Sequence, residues 1–212
     1  MDAPAGAPES VPDDKGALLV ATRNPGKLRE LTSLLAGCPL KLVSLDDVGV
    51  DVDVEETGST FEENATLKAD TYSRLTGMIT VADDSGLEVE ALGGEPGVMS
   101  SRYAGQGASD QERIAFLLRK LDNIPEDRRK ARFRCVIAVA RPGAETELYA
   151  GECQGTIIDT PRGRNGFGYD PVFLLPELGR TMAELSEEEK DRVSHRGIAA
   201  RKAVAALGLG DA

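Results

Sequence analysis

Apolar residues in this chain form two patterns: short unbroken runs, typical of buried strands, and a spacing of three or four residues, typical of helices. The first run is Ala17–Ala21. A turn follows, in which Asn24 suits a helix N-cap and Pro25 the first helical position, and leucines then recur at helical spacing. A second run at Leu40–Ser44 predicts another strand. Strand, turn, helix and strand in this order indicate an α/β unit.

The middle of the chain continues the alternation of helices and strands. Residues Thr60–Glu63 match a capping box, which predicts a helix to about Leu75 with Gly77 as its stop. The run Met78–Ala82 predicts a buried strand, and the alternating residues Leu87–Ala91 predict a separate one. Two adjacent carboxylates lie between these two predicted strands.

The second half of the chain predicts two long strands and further helices. Ser109 or Asp110 suits the N-cap of a helix. Ala131–Ala140 and Glu147–Asp159 are predicted as antiparallel neighbours joined by a Pro-Gly turn. Near the C-terminus we expect a strand, two capping boxes and a final helix, at Pro171–Leu175, Thr181–Glu184, Ser186–Glu189 and His195–Leu207.

These elements predict an α/β fold with a mixed central β-sheet, flanked by helices and dividing two lobes. Residues 17–212 are long enough to form a single domain with a sizeable core. Residues 1–16 contain three prolines, four acidic residues and almost no large apolar side chain. We therefore expect a disordered tail there.

The charge balance narrows the classes of function. The chain of 212 residues has a formal net charge of −11, which gives no electrostatic support for binding DNA or RNA tracts. A small anionic substrate is compatible with this charge, since a local cluster of cations or a metal ion overrides the global field. We find no apolar stretch of membrane-spanning length and no secretory pattern at the N-terminus. With three widely spaced cysteines, these features lead us to expect a cytoplasmic protein.

The main candidate for chemistry is the acidic pair Asp83 and Asp84, which directly follows an apolar run. Adjacent carboxylates repel each other unless a cation lies between them or one stays protonated. With Glu55 and Glu56 they form an oxygen-only donor set, which favours Mg²⁺ or Mn²⁺ over Zn²⁺. The two glutamates also fit a solvated loop face. The Asp-x-Asp-x-Thr pattern of haloacid-dehalogenase phosphatases is absent here, which argues against a nucleophilic aspartate.

Three further segments carry binding chemistry. The turn Thr22–Lys27 places a lysine and backbone amides at a helix N-terminus, which attracts phosphate, although a well-capped helix with a surface lysine explains it as well. Gly166–Asp170 sets two aromatic rings and a carboxylate among glycines, which suits stacking on a base or a turn packed in the core. His195 lies beside Arg196 at a helix start, a place to contact phosphate or a base, but a lone histidine is more often structural.

Five segments follow one another along the chain: TRNPGKLREL, EETGSTFEENAxxKA, ADDSGLEVEALGGEPGVMSSRYAG, GFGYDPVF and SHRG. In this order they resemble the Ham1/RdgB family of inosine/xanthosine triphosphate pyrophosphatases, over nearly all of residues 17–208. The resemblance implies a homodimer with the active site in the cleft between two lobes. It also implies Mg²⁺-dependent hydrolysis of ITP, dITP and XTP to the monophosphate and pyrophosphate.

The same resemblance implies roles for individual residues. Asp84 is expected to be the general base, with Glu56 and Asp84 as the metal ligands and Asp83 as a supporting neighbour. Substrate contacts are expected at Thr22, Arg23, Asn24, Pro25, Gly26, Lys27, Ser85, Phe167, Gly168, Tyr169, Asp170, Lys190, His195 and Arg196.

Two other functions stay open on the sequence alone. One is a Maf-like nucleotide pyrophosphatase with a different base preference, and the other is a non-catalytic nucleotide-binding regulator. A preference for deaminated purines requires a site that pairs with their 6-oxo group, because adenine presents a donor there and leaves buried groups unpaired.

Overall fold

The fold is built on one mixed sheet. A computed structural model describes residues 16–209, so the predicted tail, apart from Gly16, lies outside the described residues. Among these residues, seven strands form the sheet in the order β2-β1-β3-β4-β5-β6-β7. The strands are β1 Ala17–Val20, β2 Lys41–Ser44, β3 Ile79–Val89, β4 Lys130–Ala140, β5 Glu147–Ile157, β6 Phe173–Leu175 and β7 Arg180–Thr181. β1 is parallel to β2 and β3, and the other neighbours are antiparallel, which confirms the mixed sheet.

Helices flank the sheet, and local capping signals set where they begin. In the described part of the chain they are α1 Pro25–Leu34, α2 Phe61–Thr76, α3 Asp110–Lys120, α4 Glu187–Val193 and α5 His195–Val204. The side chain of Asn24 accepts hydrogen bonds from the amides of Gly26 and Lys27 at the start of α1. Complete capping boxes at Ser109 and Ser186 start α3 and α4. These starts agree with the predicted caps.

The central strand β3 differs from the prediction. The sequence predicts two strands, Met78–Ala82 and Leu87–Ala91, separated by the acidic pair, but β3 continues unbroken from Ile79 to Val89. β4 pairs with it along almost its whole length. A strand needs only the backbone groups of its neighbour to continue, and side chains from adjacent helices bind the carboxylates. The predicted break in the strand is therefore wrong.

The long strands β3 and β4 serve two lobes. In one lobe, α2 packs around Phe61 on one face of the sheet, while α1 and α5 pack around Leu31 on the other. In the second lobe, α3 packs around Leu117 against the last part of β3 and against β6. The apolar clusters change over on β3 between Ala82 and Leu87. The acidic pair lies at this boundary.

The end of the chain departs slightly from the predicted helix. α5 was predicted to reach Leu207, but it is regular only to Val204 and continues as a wider turn in which Gly208 has a φ of 85°. No helix within residues 16–209 is long and apolar enough to cross a membrane.

Candidate active site

The candidate active site lies where β3 extends beyond β1. β1 ends at Val20, opposite Val81, so the following residues of β3 lie beside the turn that leads into α1. Lys27, in the first turn of α1, reaches both carboxylates of the acidic pair. Its ammonium group is 3.2 Å from Asp83 Oδ2 and 4.0 Å from Asp84 Oδ1. A lysine of the protein is therefore the cation that the two adjacent carboxylates share.

Adjacent residues of a strand project to opposite faces, so the two carboxylates have separate partners. Asp83 faces α5, where Nε and Nη2 of Arg196 each donate to its Oδ2 at 3.2 Å. Ser85, on the same face of β3, also donates to that oxygen, at 3.2 Å. Asp84 faces α2, where Asn64 Nδ2 donates to its Oδ2 at 3.0 Å. Because the Asp83 and Asp84 side chains point in opposite directions and each lies near cations of the protein, the repulsion between the two carboxylates is relieved.

These surroundings shift the two carboxyl groups in opposite directions. Burial would raise the pKa of Asp83, but Lys27, Arg196 and Lys68 together hold it well below its ordinary value. For Asp84, burial is the largest influence and raises the pKa, with Lys27 and Lys68 opposing it. Asp84 is therefore the more basic of the two, as a group that takes a proton from water must be.

A partly buried lysine joins Glu56 to the acidic pair. Lys68 Nζ donates to Glu56 Oε1 at 2.5 Å and to the backbone carbonyl of Asp83 at 2.6 Å, and it lies 4.0 Å from Asp84 Oδ1. Burial would raise the pKa of Glu56, but the charge and hydrogen bond of Lys68 lower it. Glu56 is thus a carboxylate held in its charged form beside Asp84.

The oxygen donors suit a cation that arrives with a phosphate ligand. Within residues 16–209, no cluster of three or more His, Cys, Asp or Glu side chains is able to hold a metal ion alone. Glu56 and Asp84 nevertheless line one cavity. Mg²⁺ is commonly held by one or two carboxylates together with substrate phosphates and water. The residues therefore fit Mg²⁺ bound jointly with a polyphosphate rather than in a protein cage.

Two adjoining cavities meet at Asn24, Lys27 and Ser85. The first, which we call the polar cavity, is lined by charged and hydroxyl side chains that include Thr22, Arg23, Glu55, Glu56, Lys68, Asp84 and Arg102. The second, which we call the aromatic cavity, is lined by rings and by a charged cluster that include Phe133, Phe167, Tyr169, Asp170, Lys190, His195 and Arg196. A ligand with a charged tail and a flat ring system matches this pair of cavities.

Flat rings line the aromatic cavity. Lys190 Nζ lies 5.1 Å from the centroid of the Phe167 ring. α1 approaches this ring so closely that a Cβ at position Gly26 would be 2.6 Å from Phe167 Cδ1. The His195 ring stacks on Phe133 with its centroid 4.8 Å away. Such faces are suited to stacking on a heteroaromatic base.

A network of charged groups borders the aromatic cavity. Glu30 accepts hydrogen bonds from Lys190, at 2.6 Å, and from Arg196. Lys190 also donates to Asp170, whose pKa is raised by burial although Lys190 opposes the shift. Two of the three N–H groups of Lys190 therefore have protein partners, and the third can donate to a ligand.

His195 is a neutral, buried side chain of the aromatic cavity. Burial, followed by the charges of Arg196 and Lys190, lowers its pKa well below the ordinary value. Its Nδ1 has no hydrogen-bond partner among the described residues. Buried polar atoms in proteins are nearly always paired, so an unpaired ring nitrogen beside a cavity points to a partner on a ligand or water.

Comparison with known proteins agrees with this geometry. Residues 18–206 match the model of the Ham1 family. The chain belongs to the Ham1 family. It is 53% identical over 182 residues to the dITP/XTP pyrophosphatase of Geobacter sulfurreducens, covering 86% of this chain and 92% of that one. The structure of the Staphylococcus aureus Ham1 protein matches with a TM-score of 0.81 and 44% identity, covering 91% and 98%. A Coxiella burnetii HAM1 protein matches with a TM-score of 0.82 and 43% identity, over the same shares.

In this Ham1-family chain, most of the predicted substrate contacts line the two cavities. These are Thr22, Arg23, Asn24, Lys27, Ser85, Phe167, Gly168, Tyr169, Asp170, Lys190, His195 and Arg196. Pro25 and Gly26 differ, because they form the first turn of α1 and Gly26 packs against a cavity ring instead. The contacts themselves stay predictions, while the juxtaposition of these residues is a property of the fold.

The turn before α1 has a different chemistry from the one its sequence suggests. The amides of Gly26 and Lys27 donate to the Asn24 side chain at 2.9 and 3.0 Å, so the cap already occupies them. Arg23 donates to the carbonyl of Val50 at 2.6 Å, which holds a neighbouring loop. This turn therefore offers an anion the Lys27 side chain, whose ammonium group is paired with Asp83, rather than these two amides.

The two rings of the glycine-rich loop have separate environments. Tyr169 is 4% exposed and its hydroxyl donates to the carbonyl of Ser100 at 2.9 Å, which anchors the loop to the second lobe. Phe167 contacts the Lys190 ammonium and α1. Stacking on a base is thus better assigned to Phe167 than to Tyr169.

Sequence reasoning missed several residues that the fold brings to the site. Glu30 lies three residues after Lys27, and Lys68 lies four residues after Asn64, so each pair shares a helix face. That spacing was visible in the sequence. It did not reveal which face of α1 or α2 turns toward β3, because tertiary packing decides this.

Proposed function

We propose that this chain hydrolyses the deaminated purine nucleoside triphosphates ITP, dITP and XTP to the monophosphate and pyrophosphate. One observation carries the proposal: a polar cavity with a raised-pKa aspartate, Asp84, joins an aromatic cavity at Lys27 and Ser85. Membership of the Ham1 family and the printed activity of a 53% identical relative support it.

The polar cavity accounts for cleavage between the α- and β-phosphates. Asp84 takes a proton from the water that attacks, and its raised pKa suits that task. Lys27, where the cavities join, neutralises charge that develops on the departing pyrophosphate, and Arg102 adds charge to the same wall. Asp83 stays ionised and holds Lys27 in place.

We propose Mg²⁺ as the cofactor, with Glu56 and Asp84 as its protein ligands. When bound there, Mg²⁺ supplies charge neutralisation for the phosphates. Lys68 holds Glu56 ionised, so the carboxylate is available to a cation without first losing a proton. Within the described part of the chain, no group of three or more His, Cys, Asp or Glu side chains could hold a metal ion by itself, which fits a metal that shares its ligands with the substrate.

The aromatic cavity accounts for the choice of base. Phe167 offers a stacking face, and Lys190 has one N–H group left for an acceptor. A 6-oxo group accepts a hydrogen bond from this N–H group. The 6-amino group of adenine is itself a donor, so it would leave the N–H group of Lys190 without an acceptor. Neutral His195 contributes a further ring nitrogen to the pairing.

The family resemblance further supports a homodimer located in the cytoplasm. Both of these are parts of the proposal, and neither enters the chemistry above. Light scattering, which gives the molar mass in solution, tests the dimer with and without ITP and Mg²⁺. We expect a mass twice that of the chain, and the mass of a monomer would contradict the proposal.

A substrate panel tests the function. The protein is incubated with Mg²⁺ and ITP, XTP, dTTP, UTP or ATP, and pyrophosphate and orthophosphate are measured separately. Pyrophosphate from ITP and XTP is expected. A preference for dTTP or UTP would indicate a Maf-like base preference, and binding without turnover would indicate a regulator. Release of orthophosphate in place of pyrophosphate would contradict the mechanism.

A further inference from the structure

Asn64 is a fully buried amide whose two ends contact two separate parts of the candidate active site. Its Nδ2 donates to Asp84 Oδ2 at 3.0 Å. Its Oδ1 accepts the backbone amide of Gly58 at 2.8 Å, in the loop that carries Glu56. The side chain is 0% exposed. From this geometry we infer that Asn64 is a positioning residue, which holds the general base and the metal-ligand loop in one fixed arrangement.

The chemistry of the two partners fixes the orientation of the amide. Gly58 offers an N–H group, which requires an acceptor, and the Asp84 carboxylate requires a donor. A flipped amide would set donor against donor and acceptor against acceptor. Asparagine therefore satisfies both partners, whereas a carboxylate satisfies only Gly58 and an apolar side chain satisfies neither.

The bond from Asn64 is one of two hydrogen bonds that hold the Asp84 carboxylate. Asp84 Oδ1 accepts the amide of Ser85 at 2.9 Å, and Oδ2 accepts Asn64. Lys27 and Lys68 each lie 4.0 Å from Oδ1, which is beyond a hydrogen bond. Among the described residues, Asn64 is thus the side chain that orients this carboxylate by a direct hydrogen bond, and Asp84 also lines the polar cavity.

The bond to Gly58 holds the loop of Glu56 against the start of α2. Glu63 reinforces it by accepting the Ser59 amide at 2.7 Å. The packing there is tight, since a Cβ at Gly58 would lie 2.7 Å from Asn64 Oδ1. Asn64 therefore acts together with Lys68 in fixing the position of Glu56 relative to Asp84. A shift of about 1 Å at a reacting group can cost about 10²-fold in rate.

The first test is Asn64→Asp in the full chain, a variant that keeps the acceptor for Gly58 and replaces the amide donor to Asp84 with a second carboxyl group. Because a positioning residue acts on the chemical step, we expect kcat for ITP to fall by about 10- to 10²-fold. We expect KM to change less than about threefold, since uniform binding is preserved. Calorimetric binding of the non-hydrolysable α,β-imido analogue of ITP with Mg²⁺ should match the unmodified protein.

Two further variants keep the inference testable if Asn64→Asp folds poorly. Gly58→Ala places a methyl group against Oδ1 of Asn64 and displaces the side-chain amide from the side opposite Asp84. We expect a similar loss of kcat. Ser73→Ala is the matched control, because Ser73 is buried on the same helix and bonds the carbonyl of Met78 away from the site. It should lower the melting temperature with an unchanged kcat per folded molecule.

The outcomes separate this inference from the proposed function on which it rests. If the unmodified protein releases no pyrophosphate from ITP, the proposed function fails. If it does so, and Asn64→Asp and Gly58→Ala keep the original kcat, the positioning role is overturned. The same holds if both variants lose activity only in proportion to the folded fraction, as Ser73→Ala would.

Discussion

At the scale of single residues, the acidic pair of β3 divides two tasks between neighbouring carboxylates. Asp83 is bound by Arg196 and Lys27, and these two cations hold it ionised. In return, Asp83 fixes both cations beside the cavities. Asp84 faces α2, where burial raises its pKa. One carboxylate thus organises charge, and the other is suited to accept a proton.

Replacement of Asp84 by asparagine tests the second task. The amide keeps the shape of the side chain but cannot accept a proton from water, so turnover of ITP should fall by about 10²-fold or more. Pyrophosphate release at saturating ITP measures it. Asp47→Asn serves as a control, because Asp47 caps a loop through Ser44 outside both cavities. Near-normal turnover in Asp84→Asn would remove Asp84 from the role of general base.

Replacement of Asp83 by asparagine tests the first task through stability. The variant removes one of the two carboxylates that pair with the buried Arg196, the other being Glu30, and this loss costs about 3 kcal/mol at pH 7. The folded-state pKa of Asp83 is lowered, so its stabilisation is complete above the unfolded value of about 3.9 and is lost progressively as pH falls from there through the lower folded-state pKa. Urea unfolding at pH 7 and pH 3.5 should show the difference from the original protein narrowing at the lower pH. A constant difference contradicts the ion-pair account.

Local chemistry of single residues was partly visible in the sequence. The acidic pair and Lys27 stand out because their residue types are rare next to an apolar run. Glu30 and Asn64 look like ordinary polar positions of amphipathic helices. The partner of Glu30 is Arg196, more than a hundred residues further along the chain, and the partner of Asn64 is Asp84, on β3. Only the folded chain reveals these contacts.

At the scale of elements, α1 and β3 position the site together. The cap at Asn24 starts α1 where β1 ends, and this places Lys27 beside the carboxylates. Caps and glycine stops were predictable because their signals are local in sequence. The unbroken course of β3 was not, because it depends on pairing with β4 and on cations from three helices that satisfy its acidic residues.

The close approach of α1 to the aromatic cavity gives a test of this element. Gly26→Ala places a methyl group against the Phe167 ring, so the ring must move. Overpacking of this kind costs about 1–3 kcal/mol, and we expect KM for ITP to rise about tenfold or more. Gly37→Ala is the matched control, because a Cβ there meets nothing within 4 Å. Equal KM values for the two variants would contradict the role of this contact in binding the base.

At the scale of the whole molecule, the site occupies the boundary between two lobes. The apolar clusters change over on β3 at the acidic pair, so the cavities draw side chains from both lobes: Lys27 and Lys68 from one, and Tyr169 and Arg113 from the other. Because the site is assembled from several separate segments of the chain, the motifs indicated the family only when taken together. No single motif indicated how the segments are arranged in space.

The most direct test compares ITP with ATP, because the two differ in the group that the aromatic cavity must distinguish. Pyrophosphate release is measured with each substrate under the same Mg²⁺ concentration, and kcat/KM is determined for both. The account predicts pyrophosphate as the product and a preference for ITP of about 10²-fold or more, since adenine leaves the third N–H group of the buried Lys190 without an acceptor. Equal kcat/KM values for ITP and ATP would contradict it.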